Sequence, residues 1–354
     1  MKLESLIKSL PEDIDGVIIE SPENRRFFTG FPSSAGILIA AKNKSVFLTD
    51  CRYIEAAKNL ITCCEVQELK KREEQLPCFA KLFGCRRLAC EVRWQTVAGF
   101  EKLARTLGDI ELCRGEEADI LIENLRLVKG EAEVAKIKTA QKIAEAAFEN
   151  ILNFIRPGVT EREIALELDF FMLKNGAESL AFETIVASGA NSSKPHAVPS
   201  DKKVESGDFI TMDFGATAEG YRSDMTRTVA LTSVTEKQSL VYETVLAAQK
   251  AALEVLKPGL SCVEADAAAR EVIEAAGYGE FFGHGLGHGV GIEIHEGPTL
   301  SPKGKGNLSP GNIVTVEPGI YLPGQFGVRI EDMALITLTG CENLTKAAKE
   351  LIIL

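Results

Sequence analysis

A stretch of roughly one hundred residues recurs in the second part of this 354-residue chain, and the duplication restricts the fold more than any single motif does. The run IRPGVT at Ile155 matches LKPGLS at Leu256, an offset of 101. GDFITMDFGA at Gly207 matches GNIVTVEPGI at Gly311, an offset of 104 that lays Asp213 over Glu317. Arg222-Ser223-Asp224 matches Arg329-Ile330-Glu331, an offset of 107 that lays Asp224 over Glu331. Helix stops, strands and acidic positions recur together, which reads as two copies of a helix-helix-strand-strand unit. Two copies are too few for a solenoid. They predict halves packed around a pseudo-two-fold axis, with strands merging into a curved antiparallel sheet, four helices on its outer face, and the acidic pairs near the axis.

Residues 1–127 read differently. DGVIIE, SAGILIA and KSVFLTD are short strands bounded by Gly, Pro, Asn or Asp, as in an α/β unit. Apolar residues at helical spacing then run from Glu131 to Ile155, up to the stop Arg156-Pro157-Gly158, and Thr160-x-x-Glu163 is a capping box for the next helix. The boundary is placed between 127 and 128. Forty Lys and Arg against 51 Asp and Glu give a formal charge of −11, which argues against nucleic-acid binding. Charges at positions 4, 8, 12, 13 and 15 leave no signal-peptide core, and no window resembles a membrane span. Six of nine cysteines crowd Cys51–Cys90 without C-x-x-C spacing, as expected of free thiols in a soluble, cytoplasmic protein.

The acids carry the chemistry. Asp213 in ITMDFG and Glu317 in IVTVEPG interrupt apolar strands, where an isolated carboxylate is costly unless paired or bound to a cation. Taken singly, each acid suits a salt bridge or a strand-end hydrogen bond. Four at repeat-related positions suit a shared hard-cation site better. Of the four histidines, His284, His288 and His295 fall in GHGLGHGVGIEIH and the fourth is His196. The glycines there permit close backbone approach or unusual dihedrals, but their spacing is not G-x-G-x-x-G. Carboxylates with an imidazole suit two divalent ions of the manganese, cobalt or zinc kind, which can share a hydroxide and polarise a carbonyl. No G-x-S-x-G or Cys–His signature points to a covalent nucleophile.

MDFGA, YRSDMTRT, GHGLGH, VEPGIY and GVRIEDM closely resemble the pita-bread metallopeptidases. About 130 residues precede the catalytic unit, and NRRFFTGF at Asn24 and LTDCRY at Leu48 resemble a creatinase-like domain. The chain therefore resembles the Xaa-Pro aminopeptidases and Xaa-Pro dipeptidases (prolidases). The resemblance implies an α+β architecture with a C-terminal pita-bread domain, residues 128–354, after a smaller α/β creatinase-like domain, residues 1–127. It implies metal ligands at Asp213, Asp224, His288, Glu317 and Glu331. It assigns Glu317 to proton relay, His295 and His284 to positions beside the substrate, His196 to the entrance and Arg329 to orienting a ligand. The implied reaction is hydrolysis of an X-Pro bond in a peptide by a homodimeric enzyme holding two divalent ions, manganese foremost. Some prolidases carry an arginine shortly after the position of His295, but here the run is His295-Glu296-Gly297-Pro298-Thr299. The reading therefore favours an Xaa-Pro aminopeptidase. The alternatives are a dipeptidase on the same site, a silent peptide-binding relative and a metal-free amidine hydrolase of the creatinase kind.

Overall fold

In a computed structural model, which describes residues 2–354, the chain divides into a unit ending at Arg126 and a second unit, Leu127–Leu354. In the first, the apolar runs become a mixed sheet of β1 (Gly16–Ile19), β2 (Ile37–Ala41), β3 (Ser45–Thr49), β4 (Glu65–Glu68), β5 (Arg87–Cys90) and β6 (Glu111–Leu112). The order is β4-β3-β2-β1-β5-β6, with β1, β2 and β3 antiparallel and the outer pairings parallel. Around it run α1 (Lys2–Lys8), α2 (Pro22–Thr29), α3 (Ile54–Leu60), α4 (Arg72–Leu82), α5 (Val97–Leu107) and α6 (Glu117–Leu127). Continuous apolar strands such as GVII and ILIAA are buried on both faces, as helix-covered sheets require. NRRFFTGF turns out to be structural. Ser21 caps α2, Gly30 ends it at φ 72°, and the buried Arg25 donates to Gly36 O and Ser33 O.

The second unit contains α7 (Glu131–Ile151), α8 (Glu161–Lys174), α9 (Glu236–Val255) and α10 (Cys262–Ala275). Its strands are β7 (Ser179–Leu180), β8 (Ile185–Ser188), β9 (Phe209–Phe214), β10 (Ala216–Ala218), β11 (Tyr221–Arg222), β12 (Met225–Ala230), β13 (Gly287–Gly289), β14 (Glu296–Leu300), β15 (Ile313–Val316), β16 (Gly319–Leu322), β17 (Phe326–Arg329), β18 (Asp332–Ile336) and β19 (Cys341–Asn343). The periodicity that continued to Ile155 stops being α-helical at Ile151, because Phe154 N donates to Ile151 O and tightens the last turn.

The duplication is visible in the fold. α8 and α10 both start in reciprocal capping boxes: Thr160 N donates to Glu163 Oε2 at 2.8 Å, and Ser261 N donates to Glu264 Oε2 at 3.0 Å. Just before them, Gly158 and Gly259 take φ of 92° and 84°, left-handed turns that favour glycine. The antiparallel ladder β8-β9-β12 of the first half has its counterpart in β14-β13-β15-β18-β19 of the second, and the hairpins β10–β11 and β16–β17 occupy matching places. The ladders meet where Glu331 N donates to Thr226 O at 3.1 Å. α7 and α8 close a core on the first ladder with Phe148, Ile164, Leu168, Ile210 and Met212. α9 and α10 close another on the second with Val245, Ala269, Val314, Val328 and Ala334.

Candidate metal centre

Strand pairing decides where the acids lie. Asp213 is the penultimate residue of β9 and pairs with Thr226, while Asp224 immediately precedes β12. Glu317 immediately follows β15 and Glu331 immediately precedes β18, whose first residue pairs with Val316. Each half therefore delivers one acid from the end of a strand and one from the start of its partner. His288, at the centre of β13, completes the group. Ligand atoms of Asp224, His288 and Glu331 lie within 4.8 Å of one another, and His288 Nε2 is 3.4 Å from Glu317 Oε1.

Hydrogen bonds fix these side chains. His288 Nδ1 lies 3.0 Å from Gly289 O, which places the proton on Nδ1 and leaves the Nε2 lone pair facing the acids. Glu331 Oε2 accepts from Thr226 Oγ1 at 2.7 Å, and Glu317 Oε1 accepts from Thr315 Oγ1 at 3.1 Å. Arg329 donates to Asp213 Oδ2 at 2.6 Å, Tyr321 Oη at 2.8 Å, Thr226 Oγ1 at 3.0 Å and Pro195 O at 3.3 Å. Its repeat mate Arg222 goes elsewhere and binds Ala181 O at 2.7 Å. The sequence puts an arginine two residues before Asp224 and before Glu331, but of the two only Arg329 enters the site.

These residues line a cavity of about 630 Å³ together with His196, His284, His295, Tyr321 and the segment Pro195–Pro199. His196 and His295 are exposed on its wall, and the His295 ring stands 4.4 Å from that of His288. His284 also reaches the wall, but both nitrogens are engaged, Nδ1 with Gly285 O at 2.8 Å and Nε2 with Tyr321 Oη at 3.0 Å. Its link to the site runs through Tyr321, a residue to which the sequence reading gave no role. The available signal was a phenol in VEPGIY, since a buried Tyr hydroxyl seeks a partner. Arg329 is the sole Arg or Lys among the described residues of the wall.

The electrostatics are those of a site short of positive charge. Burial first, then Glu331, Asp213 and Glu317, hold the Asp224 carboxyl well above its ordinary pKa against the pull of Arg329. Burial and the charges of Glu317 and Asp213 do the same to Glu331, against its bond from Thr226. Burial lifts Glu317 to about 7, with Arg329 opposing and Asp213 reinforcing the rise. Burial pushes His284 down to about 4 and lowers His288 and His295 as well, so the imidazoles are neutral. Asp213 Oδ1 is buried without a hydrogen-bond partner. An orphaned carboxylate oxygen, three acids whose ionisation is suppressed and one neutral imidazole with a free lone pair fit hard divalent cations. No cysteine lines the cavity among its described residues, so a thiolate site is not offered.

Residues 135–338 match metallopeptidase family M24, and residues 2–128 match the creatinase/prolidase N-terminal domain. An Xaa-Pro dipeptidase of Pyrococcus horikoshii is 39% identical, with 99% of this chain and 98% of that protein covered. The structure of an Xaa-Pro dipeptidase from Bacillus anthracis superposes with a TM-score of 0.96 at 43% identity, covering 100% of this chain and 99% of the other. That of an X-Pro aminopeptidase from Thermotoga maritima superposes at 0.93 and 39% identity, covering 100% of both.

Proposed function

The chain belongs to metallopeptidase family M24, as a pita-bread Xaa-Pro metallo-exopeptidase behind a creatinase/prolidase N-terminal domain, and from that premise we propose that it removes the first residue from X-Pro peptides longer than two residues. The observation that carries the preference for length is the cavity wall, where the single guanidinium is already committed to Asp213, Tyr321, Thr226 and Pro195 O. A dipeptide would bring its carboxylate into a wall of acids with no uncommitted Arg or Lys to receive it, whereas a longer peptide carries that charge away from the site.

In this reading Asp213, Asp224, His288, Glu317 and Glu331 hold two divalent ions, manganese ahead of cobalt or zinc. Such ions supply a Lewis acid for the scissile carbonyl and a water acidified to near neutrality. Glu317, in the cavity wall 3.4 Å from His288 Nε2, is placed to take a proton from the attacking water and return it to the departing proline nitrogen. Thr315 orients its carboxylate, as Thr226 orients that of Glu331. His295 and His196 face the substrate and stabilise charge on the carbonyl oxygen. His284 holds the Tyr321 hydroxyl, and through it the Arg329 fork that orients Asp213. Proline at the second position offers a tertiary amide without N–H, so recognition rests on ring shape. The family likeness also supports a homodimer, with residues 1–127 and 128–354 as separate functional parts.

The direct test compares Ala-Pro with Ala-Pro-Ala on the manganese-loaded enzyme. Faster turnover of the tripeptide, abolished by chelation and restored by manganese, is expected. A strong preference for Ala-Pro would make the enzyme a prolidase, and activity indifferent to chelation would remove the metal mechanism.

A further inference from the structure

His196 is carried by irregular chain. After β8 a 3₁₀ turn covers Gly189–Ser193, and the segment then passes along the cavity as Pro195-His196-Ala197-Val198-Pro199 without a ladder of its own. A segment of this kind opens locally unless something ties it down. The tie is Glu161, the first residue of α8, whose side chain is fully buried. Its Oε1 accepts from Ser188 N at 2.7 Å, Ser188 Oγ at 2.9 Å and Asn191 Nδ2 at 3.1 Å. Its Oε2 accepts from Ser200 N at 3.1 Å, Ser200 Oγ at 2.5 Å and Asn191 Nδ2 at 3.3 Å. Both ends of the segment that presents His196 thus converge on one carboxylate. From its middle, Ser192 Oγ accepts from Gly327 N at 2.9 Å and Pro195 O accepts from Arg329 at 3.3 Å.

An acid in the first turn of a helix ordinarily serves that helix's own N–H groups. Here Thr160 and Glu163 already do so, and all six contacts above go to the segment instead. The internal repeat supplies an independent control. At the offset of 101 the counterpart of Glu161 is Cys262, buried behind an intact capping box of Ser261 and Glu264. Starting such a helix therefore does not require the buried acid, which occurs only in the half that carries His196. Burial resists ionisation of Glu161, yet the donors of Ser200, Ser188 and Asn191 outweigh it and hold the carboxyl below its ordinary pKa.

We propose that Glu161 is a positioning residue for catalysis: its carboxylate pins residues 188–200 so that His196 stands at the cavity wall. The proposal rests on the reading of His196 as a substrate-facing group. Glu161→Gln keeps size and shape but turns an NH₂ toward N–H and O–H donors. In manganese-loaded enzyme, Glu161→Gln is expected to lower kcat about tenfold to 100-fold with a smaller change in KM. His196→Ala is expected to lower kcat on its own, and the double variant to fall within about twofold of His196→Ala, because the two residues act as one unit. Hydrogen exchange over 188–200 should quicken in Glu161→Gln while the rest of the protein keeps its protection. Losses that multiply in the double variant, or wild-type kcat in Glu161→Gln, overturn the proposal. Full activity in His196→Ala removes the reading of His196, and the proposal with it. If Glu161→Gln does not fold, the pair Ser188→Ala and Ser200→Ala removes donors from the other side and enters the same cycle with the same expectations.

Discussion

Two arginines show how much a single side chain can decide. Arg227 is 1% exposed, and every N–H of its guanidinium is spent: on Ala348 O, Thr226 O, Glu331 O, Ala347 O and Asp332 Oδ1. It thereby joins β12 of the first half to the backbone of Glu331 in the second and to the final segment of the chain. Asp332 is buried too, and also accepts from Gln249, Asn343 and Lys349. Arg227→Met takes the guanidinium from the buried Asp332 carboxylate and from the carbonyls of Ala347, Ala348 and Glu331, so a loss of about 3–5 kcal/mol is expected in urea denaturation. A loss under 1 kcal/mol would show that water takes over the role. Arg329, at the end of β17, turns toward the cavity, where its partners are functional candidates. Glu317→Gln tests the chemistry beside it. The expected drop in kcat is about 10²-fold or more, with substrate affinity nearly unchanged and metal content assayed alongside. Unaltered kcat would take proton transfer away from Glu317.

At the scale of elements, the glycines of GHGLGHG have a purpose that their sequence disguises. None takes a positive φ, so unusual dihedrals are not what they provide. Gly287 and Gly289 let β13 lie between β14 and β15 with almost no clearance: a Cβ on Gly287 would collide with Thr315 O, and one on Gly289 with Gly297 O. Gly287→Ala is therefore expected to push β13 away from β15 and carry His288 off the acids. Manganese affinity should fall at least tenfold, read by calorimetry, while far-ultraviolet circular dichroism stays native; unchanged affinity would show that the strand accommodates the methyl group. The duplication, the strand ends bearing acids and the capping boxes were legible because each is a local pattern repeated at a near-constant offset. Tyr321, Thr226 and the divergence of Arg222 from Arg329 were not, because each depends on which chain segment lies opposite in the fold. Pairing register does not leave a trace in one strand's own sequence.

For the molecule as a whole, the two halves each contribute two acids to one place, and folding without a cation forces their charges together. Burial holds Glu317 at about 7, above its ordinary 4.5, and Asp224 and Glu331 are raised as well. An acid whose folded pKa exceeds its unfolded one favours the folded state at low pH. That contribution is lost as pH climbs from about 4.5 through about 7, the window set by Glu317. Divalent ions reverse the sign by replacing those protons, and binding should release protons into solution near neutrality. Glu161 works in the opposite sense, since its lowered pKa contributes stability above about 4.5 that is lost on acidification. It lies outside the cation site and is present in both forms, so it cancels from their difference. The expected result is a gap in Tm between manganese-saturated and metal-free protein that widens as pH rises from about 5 to about 7.5. At manganese 100-fold above Kd the ion should add about 2.7 kcal/mol or more to the stability of the folded state. Scanning calorimetry across that range checks it, and a gap that narrows with rising pH would mean that the acids do not compete with protons for the metal.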